Sequence, residues 1–536
     1  MIDSAAARRA SRDPAGARLA FVGLAALYLA PLFVTRFLPA FDLPHHLAIV
    51  DALSKAGDPA SPYARHFEVG LEFAPFALHI VVLRALAVVL PLAVAAKTLV
   101  GFVVLALPLA TARLLRLSGR DTTPALLAFP LVYSLPLHYG LIAFVAALPF
   151  LVWMLAEASH ESGWRERPVA QAVILGALAL VTFFAHLEAW AVGVAGAAVA
   201  VLFAAAPWRA RVCGLAALAP SLLACVFYLT TRVSGASDVG GASLVRALLD
   251  ARARELAERG LLADLAGRVR VAPLSVLRGF NDGSDVLAAQ VFFGLIVAGI
   301  LFGAARWWRR RPLARPRLAP SAGLVLAAAG AYFGLPHHAP PDAFSVYPRF
   351  AVVLALLLLV TIPAYPFRIS GRSRNAAITL VTVLATIHGL NVVRQYAAFG
   401  HELNDFARVL DQSPAGLASG GLVFDAESRV MNVGGIFTGM PAYYVTERAA
   451  PRSSTWLYYC AWPQLPCQAR HPEQAAPLPF FSYPAEFNAS RALQDLDLLF
   501  VRGGPPAAAL FGAEAPRVRL LATDGAWRAF VRRPPS

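Results

Sequence analysis

The residues best suited to chemistry stand in FDLPHHLAIVDAL, a stretch beginning at Phe41. Asp42, His45 and His46 are spaced i, i+3 and i+4, so a helix starting here gathers a carboxylate and two imidazoles on one side. A carboxylate within hydrogen-bond reach can take the proton of an attacking hydroxyl, and imidazoles can hold phosphate or hydroxyl oxygens. The same residues also make a good helix start, with Asp42 as N-cap, Pro44 in the first turn and Gly57 as the end. An N-cap accounts for the aspartate but not for the adjacent histidines.

Four other regions carry groups of the same kind. FFAHLEAW sets His186 and Glu188 at the break between two apolar runs, where they either serve a site or satisfy each other. GLPHHAPPDAFSVYPRF supplies His337, His338, Asp342, Tyr347 and Arg349. Arg349, at the mouth of the next apolar run, suits a lipid phosphate; the plainer role is an interfacial arginine whose head reaches water. Tyr133, His138 and Tyr139 lie in a proline-broken segment and read as aromatic packing. His388, Asn391 and Arg394 read as polar residues at the end of the last long helix. The sequence holds no nucleophile elbow, no glycine-rich phosphate loop and no cysteine–histidine set at zinc spacing.

The elements that must position these groups follow from composition. Of 536 residues, 58% are apolar and 15% charged, with a mean hydropathy of +0.60. One water-soluble core cannot hide that much apolar surface, which excludes ordinary soluble enzyme folds and disorder alike. The net charge of +15 comes from basic residues set between apolar runs, as in membrane proteins that orient by charge, and not from a nucleic-acid patch. Apolar segments run at about 19–35, 76–91, 94–112, 124–157, 169–186, 188–206, 212–230, 286–305, 319–335, 348–364 and 376–393.

Arg8, Arg9, Arg12 and Arg18 precede the first segment, and no cleavage site follows it, so it reads as an uncleaved span with a cytoplasmic amino terminus. The arginine cluster at 306–317, Arg368 to Arg374, and Arg209 with Arg211 mark further cytoplasmic loops. Alternation from these anchors puts outer loops at 40–75, 232–285 and 336–347 and the carboxy-terminal part outside. The count is eleven if 124–157 crosses once, which leaves Arg113, Arg116 and Arg120 outside, against the charge rule; thirteen is the rival count. The expected fold is an all-α polytopic membrane protein with a small extracytosolic α/β domain: a tail over 1–18, a membrane domain over 19–394 and an outer domain over 395–536.

Within 232–285, Leu244, Leu248, Leu249, Leu256, Leu262, Leu265 and Val269 fall at helical intervals among balanced charges. This fits an amphipathic helix or pair on the outer membrane face, or an ordinary soluble hairpin. After about 394, short strand-like runs appear at 421–424, 496–501, 518–521 and 527–531. Cys213 and Cys225 lie in apolar sequence and read as packing, whereas Cys460 and Cys467 could pair in an oxidising compartment.

The acidic residue just after the first span, in a loop leading to an amphipathic stretch, resembles the GT-C superfamily of membrane glycosyltransferases. The D-x-x-x-H pattern, Asp42 and His46, is similar to a branch of bacterial GT-C-like membrane proteins. The resemblance implies a polyprenyl-phosphate-linked sugar donor, transfer on the outer side of the inner membrane, and a base role for Asp42. Read from their own chemistry and placement, His45 and His46 would position donor or acceptor, with Arg349, His186, Glu188, His337 and His338 as substrate-binding candidates. The paired acidic motif of the superfamily, such as Asp-Asp or Asp-Glu, is absent from this loop; Glu68 and Glu72 stand apart and could serve or face solvent, which leaves room for a divalent metal without assigning one. The implied partners are the lipid-linked donor and membrane lipids, not nucleic acid. A lipid or polysaccharide transporter and a non-catalytic scaffold stay open as other readings.

Overall fold

The computed structural model describes residues 15–55, 57–59, 67–69, 73–233, 241–310, 320–338, 346–361, 371–448, 467–469 and 484–534. Its main body is a helical bundle: α1 (Ala15–Leu29), α2 (Leu43–Lys55), α3 (Ala77–Ala87), α4 (Leu92–Leu117), α5 (Ile142–Ala158), α6 (Pro168–Ala185), α7 (Leu187–Phe203) and α8 (Trp208–Thr231). There follow the hairpin α9 (Gly241–Arg259) and α10 (Leu261–Val276), then α11 (Ser284–Arg310), α12 (Pro320–Gly334), α13 (Val346–Leu358) and α14 (Gly371–Glu402). Among the described residues, five helices are long and apolar enough to cross a membrane, in α4, α6, α8, α11 and α14, and further apolar helices such as α5, α7 and α13 are shorter. The chain is a multi-pass membrane protein.

Contacts between helix ends sort the bundle into two faces. Phe41 and Asp42 donate backbone hydrogen bonds to the carbonyls of His138 and Tyr139, at 2.9 and 3.3 Å. Helix α5 runs from that point to Glu157, which is held by Arg113 and by Gln171 (2.9 Å) at the opposite end. Arg165 and Glu161 reach Ala205 on that same side, next to Arg209 and Arg211. One face therefore carries Asp42, and the other, the arginine face, carries Arg113, Arg165, Arg209 and Arg211.

This arrangement corrects two sequence expectations. The run 124–157 passes between the faces twice, because Pro124, Pro130 and Pro136 break its first half into short helices at Ala128–Val132 and Leu135–His138. Conversely 76–91 does not pass at all. Its helix α3 is 11 residues, about 16 Å against a hydrocarbon core of about 30 Å. It starts beside His46 on the Asp42 face, and α4 begins on that face too, since Lys97 Nζ donates to the Thr35 carbonyl at 2.7 Å. The two changes cancel in the total but move Arg113, Arg116 and Arg120 to the arginine face. The conflict with the charge rule disappears.

The carboxy-terminal part is a four-stranded sheet of order β2-β4-β6-β5, with β2 (Ser419–Val423), β4 (Leu498–Arg502), β5 (Val518–Asp524) and β6 (Trp527–Arg532). Strands β2 and β4 are parallel, and the other pairs antiparallel. A separate two-stranded ladder joins β1 (Phe67–Val69) to β3 (Cys467–Ala469). Alternation along the strands gives the four-stranded sheet two apolar sides. Leu498, Phe500, Trp527 and Ala529 join the main core, whereas Leu499, Val501 and Phe530 face a small second core with Leu493 and Phe511. Helix α14 continues without a break past the expected boundary at 394 to Glu402. Arg36, just beyond α1, forms ion pairs with Asp411 (2.9 Å) and Glu447, so the sheet domain sits on the Asp42 face. Cys213 and Cys225 are free; Cys460 lies outside the described residues, and its pairing with Cys467 with it.

Hairpin α9–α10 is pinned to the same face by buried charges. Arg252 and Arg268 both pair with Asp264 and with Glu255. They also donate to the carbonyls of Phe333 (2.8 Å), Tyr332 (2.7 Å) and Leu335 (2.7 Å) at the end of α12. Removing one partner of such a network leaves the others buried without a counter-charge. Asp264→Asn is expected to lower stability by roughly 3 kcal/mol, read as a fall in Tm of the detergent-purified protein, while Asp250→Asn on the exposed side of α9 leaves Tm unchanged.

Candidate active site

Asp42 is held by its backbone. Its N–H is taken by Tyr139, and its carbonyl accepts from the N–H groups of His45 and His46, both at 3.1 Å, which opens α2. Gly140 has φ +81°, and a Cβ there would lie 2.3 Å from Asp42 N and 2.9 Å from its Cα. Only glycine satisfies both the conformation and the approach. The proline-broken segment thus serves to hold Asp42 at the mouth of α2.

The two histidines part company. His45 is buried beneath the turn at 435–442, where a Cβ on Gly439 would touch the Phe41 carbonyl at 2.8 Å and His45 Nε2 at 3.1 Å. His46 faces α3 instead: its Nδ1 lies 3.3 Å from His79 Nε2, with the rings edge to face at 4.9 Å. Burial pushes both imidazoles down, His45 to about 3 and His46 to about 4, so both are uncharged at neutral pH. They supply hydrogen bonds, not positive charge.

His79 leads on to the third region. It lies within electrostatic reach of His186, as does Arg349. His186 sits in extended backbone (φ −166°, ψ 124°) between α6 and α7, its ring edge-on to Phe76 (4.8 Å) and Phe144 (5.2 Å). Phe76 caps α3 at φ +81°, the one non-glycine with positive φ among the described residues. Arg349 Nη1 approaches the Glu188 carboxylate at 3.3 and 3.4 Å. Two buried ring nitrogens at this break, His186 Nδ1 and Trp190 Nε1, find no hydrogen-bond partner among the described residues. Asp42, His46, His186, Glu188 and Arg349 are thus joined on one face, through His79.

The remaining candidates go elsewhere. His337 stacks against His338 (4.4 Å) and Tyr347 (5.5 Å), and its N–H donates to Glu255 at 2.6 Å, within the hairpin's charge network. Tyr133 and His138 belong to a buried polar column: Tyr133 Oη donates to the Tyr28 carbonyl (2.6 Å), and His138 Nε2 meets Tyr396 Oη (3.3 Å). His388, expected at a helix end, is instead in the middle of α14, buried and 3.0 Å from Tyr28 Oη. Arg394 and Asn391 bind Asp282 and Ser284 at the start of α11. The side chains of Glu68, Glu72 and Asp342 lie outside the described residues. Among the described residues no three His, Cys, Asp or Glu side chains form a group able to hold a metal ion.

His79 is the residue the sequence reading missed. It stands alone in FALHIVVL, inside a run taken for a span. The signal was its place at the start of that run, where a histidine lies at the surface of the bundle and not in its middle.

No protein-family model matches the chain, and no curated protein does. Among solved structures it is similar to the cryo-EM structure of arabinofuranosyltransferase AftD from Mycobacteria, with 15% identity and a TM-score of 0.41. The match covers 96% of this chain, which spans 41% of that one.

Two outcomes follow from this geometry. Gly140→Ala strains its own backbone and drives into Asp42; a loss of roughly 1–3 kcal/mol is expected, seen as a lowered Tm. The depressed His45 and His46 mean that the unfolded chain binds protons which the folded chain refuses between pH 6.5 and about 4. Stability is therefore full above pH 6.5 and declines as pH falls through that window. His46→Gln removes its share, about 2 kcal/mol between pH 7 and pH 5, so its Tm should vary less over that range than that of the wild type.

Proposed function

We propose that the protein is a membrane glycosyltransferase of the GT-C type. It moves a sugar from a polyprenyl-phosphate-linked donor to an acceptor hydroxyl on the Asp42 face, and that face lies outside the cytoplasm. The observation that carries this reading is the assembly, on one face, of groups from four separate stretches of chain. A carboxylate, neutral imidazoles and a single fixed cation, Arg349, are what transfer from a lipid phosphate requires.

In this mechanism the acceptor oxygen forms a bond to the sugar's anomeric carbon while the bond from that carbon to the phosphate oxygen breaks. The acceptor proton passes to Asp42. The departing polyprenyl phosphate carries its negative charge, which Arg349 balances as it exchanges part of its pairing with Glu188 for the phosphate oxygens. His46, uncharged and braced by His79, orients a hydroxyl. His186 Nδ1 and Trp190 Nε1 offer further hydrogen-bonding atoms beside the cation. His45, sealed under the 435–442 turn, supports the start of α2 and does not touch substrate. No covalent intermediate is needed.

A transporter reading draws on the buried Tyr28–His388 pair in mid-bundle, and one experiment separates the two. The purified protein is incubated with a panel of polyprenyl-phosphate sugars, with and without envelope glycolipid acceptors, and free polyprenyl phosphate is followed by mass spectrometry. Wild type should release it from one donor. Asp42→Asn should slow release by about 100-fold or more with an unchanged Tm, and Arg349→Gln by about 10- to 100-fold, with a lowered Tm because Glu188 loses its counter-charge. Absence of release from every donor and acceptor pair, or release by Asp42→Asn at the wild-type rate, would overturn the proposal.

A further inference from the structure

Helix α10 of the hairpin is built with its polarity reversed. In a soluble helical pair the leucines point inward and the charges outward. On α10 the buried residues are Asp264, Arg268, Ala272, Ser275 and Val276, whereas the exposed ones are Leu261, Leu262, Ala263, Ala266, Gly267, Val269 and Arg270. Leu262 is 82% exposed, Val269 62%, and Leu249 on α9 65%. On α9 the exposed arc divides, with Leu249 and Ala253 on one edge and Arg254 and Glu258 on the other.

We infer that this apolar face is seated in the surface of the lipid bilayer, as an interfacial hairpin and not a water-facing one. Three observations name the bilayer as occupant. Asp264 and Arg268 of α10 are turned inward and paired with Arg252 and Glu255 of α9 and with the end of α12, which leaves Arg270 as the one charge on the exposed side of α10. The apolar face continues the exposed belt of its neighbours in the chain, Leu222, Leu223, Val226 and Phe227 on α8 before it and Leu287 and Val291 on α11 after it. The charged edge of α9 leaves a polar side for the water boundary, the division an interfacial helix needs. Rigid attachment has a further effect. The Arg268 guanidinium lies 3.8 Å over the Tyr347 ring, two residues from Arg349 on α13, so the depth of the hairpin fixes the depth of that cation.

The test uses the full-length protein in nanodiscs holding one copy each. Single cysteines are placed by Leu262→Cys, Val269→Cys and Glu258→Cys and exposed to a charged, membrane-excluded maleimide. Peptide mass spectrometry reads each site apart from the native cysteines, and rates are normalised to the unfolded protein. Positions 262 and 269 should label about 10-fold more slowly than 258 or less. A nitroxide at 262 should be relaxed more by oxygen than by a water-soluble nickel chelate. Equal labelling at all three positions, with stronger relaxation by nickel, would overturn the inference. Protection seen only when two copies share a disc would also overturn it and assign the face to a second copy. The outcome does not depend on the enzymatic reading, since no activity is measured.

Discussion

The backbone clamp between Phe41–Asp42 and His138–Gly140 is the constraint on which the rest depends. Two hydrogen bonds and one close glycine approach bind the loop after α1 to the proline-broken segment of the bundle. A helix running unbroken from 135 to 145 could not offer the carbonyls of His138 and Tyr139 to Phe41 and Asp42, because they would be used internally. The break at Gly140, with its positive φ, therefore leaves free the acceptors that fix the candidate base. Once Asp42 is fixed, α2 has a direction, His46 meets α3, and α3 is kept out of the membrane core.

Neutrality of the imidazoles divides the work within the site. A buried histidine gives up its charge before it gives up burial, so the His46–His79 pair can direct hydrogen bonds but not balance a phosphate. Charge is left to arginine, which cannot be neutralised, and Arg349 is kept soluble in this setting by Glu188 at its side. The hairpin solves the same difficulty on a larger scale by pairing every inward charge.

Much of this was legible in the sequence, and the failures have physical causes. Asp42 and its helix announced themselves through i, i+3, i+4 spacing, and each strand run of the final domain appears as a strand. Arg349 and Glu188 each stood out singly, but their pairing is a contact across 161 residues of sequence that no local pattern encodes. The crossings of 76–91 and 124–157 were misjudged because hydropathy measures apolar length and not continuity; the prolines carried the information, as did the misplaced Arg113, Arg116 and Arg120. His388 looked like a helix-end residue only because the end of α14 could not be seen from composition, which stays mixed from 394 to 402. The inward charges of α10 were visible as charges, but their direction depends on what α12 offers them.

The turn at 435–442 that covers His45 has a consequence for the order of synthesis. Asp42 and Gly140 emerge early and can meet as soon as the first few helices are in place. His186 and Arg349 follow, and the hairpin must wait for α12 before its arginines find their carbonyls. The lid over α2, and Asp411 and Glu447 that anchor Arg36, come from chain made after every membrane helix is complete. During biogenesis the Asp42 loop is therefore present long before it is closed. A nascent chain stalled anywhere within its helices carries α2 without its cover, and the finished membrane protein gains its sealed first loop only in the last stage of translation.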